Sequence, residues 1–539
     1  MEAFSAPALY APALLPPSYA AAPTLTVLRI ASAAYITAPA DDPASTLYTP
    51  RLYGDITVGQ SGADALGIGG RVALGLAEFE VQNADRGLDG LIHYGIADGR
   101  PVTVRALPVS APRAGHFGAA LGSVPPAFVG VVQRVDPAAG QRARFAVTDV
   151  SELLATPLQG EKFGGTGGLD GGANLAGKPK PVCVGSVANL APVYIGNVDL
   201  GDGTLPTYAI HGRPISAVSA VRIRGVEQAL VGSAPSVGEY TAHLADGVIQ
   251  LGSQADGAVT VDATGDSAYG ATTAAVIRAL VQAHGPQLTA AQIDTDSFTL
   301  ADTDLPGAVG YYRADQEMTA AAAVDEVLAG CGAILCGGRG GTLRLVDPLA
   351  AGVQQFGIPA GWVLELEPVS LPAALRPLPA TVAVQYRRNW TPLSDIAGSI
   401  SDEDDRAFLA GQANIHRVTS STIAFRVQQA RELRFPGLYA SEADAQARAE
   451  RWQAFLEAGP RMFRLTTDRY LGQIEVGDLG IIQYPAYGLA DGAGVVVLGY
   501  EDRLAARRLV LTVCTVPWVT AAPVEEEAPF FILDETELA

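Results

Sequence analysis

Residues 161–180 read EKFGGTGGLDGGANLAGKPK and separate two parts of the chain that differ in pattern. Six glycines lie between Gly164 and Gly172, counting both ends. Glycine loses more backbone entropy on ordering than other residues, so this composition disfavours both helix and strand. The stretch therefore predicts a loop or linker, and it is the clearest domain boundary in the sequence.

The composition predicts a large, folded, mainly β chain. Its 539 residues are enough for about three or four domains. With 48% hydrophobic and only 17% charged residues, a disordered acidic chain is excluded. The 60 glycines and 36 prolines follow no collagen-like period, so they indicate many turns between short strands.

Strand patterns dominate the part before the glycine-rich stretch. Apolar residues alternate over Pro101–Val109, Phe128–Val135 and Ala143–Val150. Arg71–Val81 also alternates, but its phase shifts by one residue, which suggests a β-bulge. The pattern predicts an antiparallel sheet, barrel or sandwich of about 130 residues.

After the glycine-rich stretch, short strands over Pro181–Val261 give way to helical patterns. Ala274–Ala283 carries a one-sided apolar stripe, and Thr319–Leu328 predicts a second helix. Ala333–Cys336 and Thr342–Val346 flank a glycine turn and predict a hairpin. The expected fold class is mainly β with an α+β insert, the insert being a small helix–helix–hairpin domain.

The last third returns to β patterning. Ser441 and Asp444 resemble a capping box that begins a helix through Leu456. Ser401–Phe408 is a charged excursion and Ile423–Leu433 suggests a mixed strand. Further strands are predicted at Val363–Gln385, Arg461–Thr467, Leu479–Gln483, Gly494–Tyr500 and Arg508–Val516.

Charge and hydropathy exclude two classes of partner. The net charge of −20 repels phosphate backbones, which argues against nucleic-acid binding along the surface. No apolar run reaches 18 residues, so no transmembrane helix or stable membrane insertion is expected. The segment Met1–Phe4 lacks the basic start of a signal peptide.

No familiar catalytic spacing is present. The glycine-rich segments 59–70 and 164–172 lack the phosphate-loop pattern, and no G-x-S-x-G elbow occurs. The histidines show no H-E-x-x-H pair and are expected to be surface or hydrogen-bonded core residues; they are His93, His116, His211, His243, His284 and His416.

Metal-binding patterns are weak. The cysteines, which are Cys183, Cys331, Cys336 and Cys514, lack paired zinc spacing and are expected to be free thiols. Calcium remains an alternative to solvated loops for two acidic clusters, Asp294, Asp296, Asp302 and Asp304, and Asp402, Glu403, Asp404 and Asp405. No carboxylate pair can be selected for glycoside hydrolysis. No catalytic, cofactor-binding or metal-binding residue is therefore assigned.

Three passages carry a family resemblance. Residues 177–185, GKPKPVCVG, and the strands that follow through Gly225 resemble a stretch of siphophage and gene-transfer-agent tail proteins. Residues 274–346, ending in LRLV, resemble the α/β segment of baseplate hub proteins. Residues 475–499, with VGD, GL and VVVLG, are similar to the hub domains of tip attachment proteins.

The resemblance implies the structural, non-enzymatic hub of a phage tail tip, assembled in the host cytoplasm and located in the virion. Such hubs are homotrimers in which two similar β-domains per chain alternate around a ring. The implied partners are the distal tail protein, the tape-measure protein and tail fibres or a spike. DNA is implied to pass through the channel without sequence recognition. Two alternatives remain, a distal tail ring or receptor- or carbohydrate-binding tail protein, and a cell-wall hydrolase.

These patterns suggest a division of the chain into successive segments. They are an extended N-terminal arm (1–24), a first tube-like β hub domain (25–160), a glycine-rich linker (161–180), a β domain (181–262), a small α+β domain (263–350), a second tube-like β hub domain (351–518) with a helix at 441–456, and an acidic and apolar C-terminal tail (519–539).

Overall fold

The computed structural model describes residues 27–520 apart from 73, 95–98, 107–120, 122–123, 315–316, 468–472, 505 and 507. The predicted N-terminal arm lies outside the described residues, as does the C-terminal tail beyond residue 520.

Strands make up most of the regular structure, so the mainly β prediction is confirmed. In the first half they are β1 (Ile30–Ala31), β2 (Tyr35–Ile36), β3 (Leu47–Pro50), β4 (Leu52–Ser61), β5 (Gly70–Val72), β6 (Leu74–Gln82), β7 (Pro101–Arg105), β8 (Pro126–Ala138), β9 (Arg142–Thr148), β10 (Val182–Leu190), β11 (Val193–Asp199), β12 (Thr204–Ala209), β13 (Ile215–Ile223), β14 (Val226–Glu227), β15 (Ala229–Leu230), β16 (Glu239–His243), β17 (Val248–Leu251) and β18 (Val259–Asp266). In the second half they are β19 (Gly310–Arg313), β20 (Ile334–Gly337), β21 (Leu343–Val346), β22 (Gly352–Val353), β23 (Phe356–Ile358), β24 (Val363–Val369), β25 (Thr381–Tyr386), β26 (Asn414–Thr419), β27 (Glu432–Tyr439), β28 (Met462–Thr467), β29 (Leu479–Tyr484), β30 (Leu489–Arg503), β31 (Arg508–Thr515) and β32 (Val519–Thr520).

Helices are short and fall mainly in the second half of the chain. They are α1 (Asp89–Tyr94), α2 (Thr273–Arg278), α3 (Thr295–Asp304), α4 (Ala320–Cys331), α5 (Glu403–Ala410), α6 (Ser421–Arg426) and α7 (Glu442–Glu457). A π-helical turn, Ala279–Ala283, continues directly from α2.

One large sheet joins the two ends of the chain. Its strand order is β24-β28-β31-β30-β4-β6-β9-β8-β7, and all these neighbours are antiparallel. The long strand β30 also pairs through its first half with β29. Strands from before residue 150 and after residue 360 thus hydrogen-bond directly within one sheet.

This sheet contains an internal repeat. Repeat 1 has the order β4-β6-β9-β8-β7, and repeat 2 has the order β24-β28-β31-β30-β29. In both, the strand that is third in chain order pairs with the fourth, the fifth pairs with the second, and the second pairs with the first. The same topology therefore occurs twice in one chain.

The repeats also match in register. The pairing of β8 with β9 is interrupted by a bulge at Gln133, and that of β30 with β31 by a bulge at Leu498. Such bulges are specific features of a strand rather than random defects. Arg134 and Gly499, the residues that follow the bulges, are therefore structurally equivalent positions.

A β-sandwich occupies the middle of the chain. One sheet has the order β14-β13-β18-β10-β19 and the other β11-β12-β17-β16-β15. Between them lies a buried apolar layer that includes Leu190, Val221, Ile249 and Val261. Strands β10, β12, β13, β16, β17, β18 and β19 contribute buried side chains to this layer.

The predicted hairpin is present as β20 and β21, but the sheet that it forms also includes a strand from outside residues 263–350. Strand β5 adds to β20 in parallel, with Val72 opposite Cys336. The prediction of one bulged strand over Arg71–Val81 is therefore wrong, because β5 and β6 belong to different sheets.

Two charged or mixed segments are helical, contrary to the sequence-based expectation. Residues 401–408 contain most of α5, and the side chain of Asp402 accepts hydrogen bonds from the first backbone amides. Residues 423–433 begin inside α6, which Ser420 caps. In both cases a capping side chain satisfies the free amides of a short helix, which polarity alone does not reveal.

The glycine-rich stretch folds against the sandwich. Phe163 and Leu175 are buried with Ile195, Val198 and Val248. Backbone hydrogen bonds join Phe163 to Lys178 and Gly177 to Phe163. The glycines allow left-handed turns, and two large apolar side chains anchor the loop.

Candidate functional site

The joint between the two repeats is the first candidate site. In the second half of β30, Gly499 lies opposite Ser61 and Arg503 lies opposite Thr57. A Cβ atom at Gly499 would approach the carbonyl oxygen of Gln60 to 2.7 Å, so the strands pack too closely for a side chain there. This joint is a tight, internal pairing of one repeat with the other.

The equivalent joint of repeat 1 is open. Strand β7 pairs with β8 only from Pro126 to Val131, as β29 covers only the first half of β30. Among the described residues, nothing pairs with residues 134–138 of β8 on that side, or with the outer edge of β24. Strand β24 exposes Leu364, with 53% of its surface accessible. Among the described residues, the large sheet thus has two strand edges without a partner, one on β8 and one on β24. These two edges correspond to the two strands that pair in the internal joint.

Both open edges contain a proline. Pro137 lies in the free half of β8 and Pro368 in β24. Proline has no amide proton and is found in sheets on edge strands. These prolines therefore fit the assignment of both strands as edges of the isolated chain.

Arg339 links the hairpin to both repeats. It lies in the turn between β20 and β21 and is 4% exposed. Its guanidinium donates to Asp502 at 2.9 Å in repeat 2 and to the carbonyl of Ala127 at 3.3 Å in repeat 1. It also lies over the ring of Tyr500, 4.1 Å from the centroid. This buried cation fixes the hairpin turn at the joint.

A second buried ion pair fixes α7. Arg448 donates to both carboxylate oxygens of Asp347 at 2.8 Å and to the carbonyl of Cys331 at 2.7 Å. Burial acts to lower the pKa of Arg448, but the charge of Asp347 outweighs it and raises the pKa. The pair holds α7 against α4 and the end of the hairpin.

The first acidic cluster serves helix α3. Asp294 caps the helix through the amide of Ser297 and forms an ion pair with Arg344 at 3.0 Å. Asp302 accepts a hydrogen bond from the hydroxyl of Thr272. Burial raises the pKa of Asp304 to about 6. These residues lie along one helix rather than in a solvated loop, and their contacts are structural.

The second acidic cluster serves α5 in the same way. Asp402 accepts from the amides of Asp404 and Asp405 at 2.9 and 3.1 Å, and Glu403 lies in the same first turn. Carboxylates are favourable at a helix N-terminus because of the helix dipole. Calcium binding is thus not needed to account for this cluster.

All four cysteines are buried free thiols. Burial raises the pKa of Cys336 and of Cys514 to about 12, and it also raises the pKa values of Cys183 and Cys331. A thiol needs to ionise to act as a nucleophile or a metal ligand. The cysteines are therefore inert core residues.

The histidines fall into different environments. His416 is 3.0 Å from Glu442 near the surface, and His243 contacts Gln250 at 3.1 Å. His116 lies outside the described residues, as does the side chain of His93. The other two, His211 and His284, lie together in the interior, where Nδ1 of His211 accepts a hydrogen bond from the amide of Cys183 at 3.1 Å.

His211 and His284 meet at Asp266. Each Nε2 atom is 3.7 Å from Oδ2 of Asp266, and the imidazole centroids are 5.2 Å apart. These three atoms are buried and have no hydrogen-bond partner. His211 follows β12, Asp266 ends β18, and His284 ends the π-helical turn. The cluster therefore joins the sandwich to the helical segment.

The electrostatics of the cluster favour a carboxylate and a neutral imidazole. Burial acts to raise the pKa of Asp266, but His211, His284 and the amide of Ala268 outweigh it and hold the pKa well below its usual range. Burial lowers the pKa of His284, against the attraction of Asp266. An anionic carboxylate thus faces an uncharged ring.

Sequence reasoning missed this cluster because its members are distant in sequence. The chain passes through the six strands β13 to β18 and helix α2 between His211 and His284. No motif spacing relates them. Asp266 gives no distinct local signal either, because the strand that it ends already alternates polar residues such as Asp262 with apolar ones.

No helix in the described part of the chain is both long and apolar enough to cross a membrane. No protein-family model matches the chain, and no curated protein matches it.

Several solved structures are similar to the chain. A virion of a native gene transfer agent particle contains a chain with 14% identity and a TM-score of 0.42, covering 64% of this chain and 85% of that chain. A tail protein from Neisseria meningitidis MC58 gives 9% identity and 0.40, covering 86% and 93%. A 43 kDa tail protein of prophage MuSo2 from Shewanella oneidensis gives 10% and 0.35, covering 87% and 96%.

The similar structures are thus two tail proteins and a chain of a gene transfer agent virion. Every one of these TM-scores is below 0.5, a level that does not establish a common fold.

Proposed function

We propose that this protein is a non-enzymatic structural hub of a phage tail tip, which forms a closed homotrimeric ring. The observation that carries the proposal is the internal repeat with one joint used and the equivalent joint open. Repeat 2 pairs with repeat 1 inside the chain, so repeat 1 of one copy can pair with repeat 2 of the next copy by the same geometry. Three copies would then present six similar units, as the family resemblance implies.

The matched registers specify how two copies would meet. In the internal joint, Arg503 lies opposite Thr57. Ala138 occupies the position of Arg503, because both lie five residues beyond their equivalent bulges at Gln133 and Leu498.

The first strands of the repeats match in the same way. Thr57 lies opposite Glu78, and Glu367 lies opposite Arg464. Glu78 and Arg464 are equivalent positions. In its own repeat, each of them pairs with the residue that lies opposite the residue just after the bulge. We therefore expect Ala138 of one copy to face Glu367 of its neighbour.

This heterologous contact would close a ring rather than join two copies face to face. The partners would be the distal tail protein, the tape-measure protein and fibres or a spike, in the virion at the tail tip. The net charge of −20 is compatible with a channel that DNA passes without being held.

Disulfide trapping tests the ring. The double variant Ala138→Cys, Glu367→Cys should give covalent trimers after mild oxidation, and reduction should return monomers. The four native cysteines are buried, so the two new thiols are the accessible ones. Mass photometry and non-reducing gels measure the products.

A matched control moves one thiol along the same strand. In Ala138→Cys, Val363→Cys the second cysteine is displaced by four residues, about 13 Å, which is beyond the reach of a disulfide. Covalent hexamers would select a six-fold tail ring instead. If the double variant stays monomeric under oxidation, or if the control links equally well, the proposed contact is wrong.

A further inference from the structure

We infer that His211, Asp266 and His284 form a binding site for a divalent transition-metal ion, with zinc as the best fit. The three side chains come from three separate parts of the fold, and their free atoms Nε2, Oδ2 and Nε2 all lie within 4.8 Å of one another. Two imidazoles and a carboxylate form a ligand set that zinc accepts, with its fourth position open to water.

The distances favour a metal over hydrogen bonds. Each Nε2 lies 3.7 Å from Oδ2 of Asp266, which is too long for a hydrogen bond. Two ligands that are each about 2.1 Å from a tetrahedral zinc ion are about 3.4 Å apart. A small inward movement of the side chains would therefore complete the coordination.

The burial of these atoms makes the empty arrangement costly. The side chain of His211 is fully buried, and those of Asp266 and His284 are 5% and 9% exposed. A buried polar atom without a partner costs about 1–3 kcal/mol. Three such atoms that face one another are accounted for by a single cation, which all three can bind.

Neighbouring backbone groups orient two of the three side chains, and the third lies beside a surface recess. Nδ1 of His211 is 3.3 Å from the carbonyl oxygen of Pro181, to which it can donate when Nε2 binds the ion. Nδ1 is also 3.1 Å from the amide of Cys183, and without a metal that amide can donate to it instead. Oδ1 of Asp266 accepts from the amide of Ala268 at 3.0 Å. His284 also lines a small recess at the surface, together with Lys180 and Arg213.

The ion would link the β-sandwich to the helical segment that follows it. His211 and Asp266 belong to the ends of sandwich strands, whereas His284 ends the turn that follows α2. Coordination free energy that exists only in the folded chain adds directly to its stability. The predicted role is structural, independent of whether the chain forms a ring.

Metal analysis of the untagged full-length protein tests the site. We expect about one zinc ion per chain, and removal by a chelator should lower the melting temperature of the protein. The variants His211→Gln and Asp266→Asn should lower zinc affinity by at least about 100-fold. The control variant His416→Gln, at a surface histidine, should bind zinc as the wild type does.

Cobalt provides a second measurement that does not depend on the variants folding. Chelator-treated wild-type protein should bind one Co²⁺ per chain with the visible absorption of a four-coordinate site, and zinc should displace it. The inference is overturned if the wild type binds neither ion in stoichiometric amount. It is also overturned if Asp266→Asn, folded by circular dichroism, retains the same zinc content, since the ion would then be adventitious.

Discussion

Repeat 1 and repeat 2 have the same five-strand topology but differ in what lies against the fourth strand of each in chain order, β8 and β30 respectively. In repeat 2 the second half of β30 is covered by β4 of the same chain, with glycines Gly59 and Gly499 at the contact. In repeat 1 no described residue pairs with the equivalent half of β8 on that side, and Arg134 lies at the position of Gly499. One topology thus provides an internal joint and an exposed edge.

The repeats also differ in what is inserted into them. Between its first and second strands repeat 1 has a short connection with β5, whereas repeat 2 has residues 370–461, with β25–β27 and α5–α7. Helix α7 buries Trp452 against Phe435 of this insert. The insert therefore gives repeat 2 an apolar layer of its own. Repeat 1 instead packs against the hairpin and against repeat 2.

The largest effect is expected from separating the repeats at their shared ion pair. Arg339→Met leaves the buried Asp502 without the cation and should lower the free energy of unfolding by about 3–5 kcal/mol. Chemical denaturation measures this value. The control Arg464→Met removes the exposed pair with Glu501 and should cost at most about 1 kcal/mol. Equal costs for the two variants would mean that Arg339 does not hold the joint.

A smaller effect should distinguish the equivalent positions Gly499 and Arg134. Gly499→Ala forces a methyl group against the carbonyl of Gln60 and should destabilise the chain by about 1–3 kcal/mol. Arg134→Ala removes an exposed side chain and should change stability by less than about 0.5 kcal/mol. Thermal unfolding of both variants is the measurement. A costly Arg134→Ala would show that this edge is not open in solution.

The stability of the chain is expected to depend on pH through Asp304, the last residue of α3. The pKa of Asp304 is raised to about 6 in the folded chain, so folding favours its protonated form. Wild-type stability should therefore fall as the pH rises from about 4 to about 6, and then level off. Asp304→Asn lacks this loss and should be more stable above pH 6 by about 1–2 kcal/mol, because Asp304 is only half-buried.

Melting temperatures of wild type and Asp304→Asn at several pH values test this point. Asp302→Asn is the control on the same helix, where the side chain accepts a hydrogen bond from Thr272. If the difference between Asp304→Asn and wild type does not grow between pH 4 and pH 6, the carboxyl of Asp304 titrates normally.

Hydrogen exchange should distinguish the two edges without any mutation. The amide of Leu504 donates to the carbonyl of Ile56, and the carbonyl of Leu498 accepts from the amide of Gly62. The backbone amides and carbonyls of alternate residues of β30, including Tyr500, therefore point towards β4. The equivalent Val135 faces the open edge. In monomer, peptides from residues 133–138 should exchange faster than those from 498–503, and ring formation should remove the difference. Equal protection in the monomer would contradict the open edge.

The sequence predicts local elements better than their arrangement. Alternation over Phe128–Val135 and Arg508–Val516 predicts β8 and β31, and the apolar stripe over Ala274–Ala283 predicts the α2 region. The family resemblance implies two similar β-domains, but the residues themselves show no repeat because equivalent strands differ in spacing and side chains, as Gly499 and Arg134 show. Pairings such as β30 with β4, between residues more than 400 apart, depend on the folded chain as a whole.

The buried cluster and the ion pairs are likewise not predictable. His211, Asp266 and His284 meet because a sandwich strand, a loop and a π-helical turn end at the same place. The sequence suggests an acidic loop at helix α3 because most of its residues are polar, and only Ser297, Phe298 and Ala301 form its buried face. Such short helices lack the long apolar period that identifies a helix from sequence alone.

The prolines on the open edges have a consequence for the order of assembly. In the proposed register, Pro137 of one copy lies opposite Pro368 of the next, so two hydrogen bonds of the internal joint have no counterpart between copies. Contacts between free chains would then be short-lived, and growth into open filaments in a crowded cell would be suppressed. Rings would accumulate mainly where another tail component holds several copies side by side, which makes the neighbouring component a template for closure.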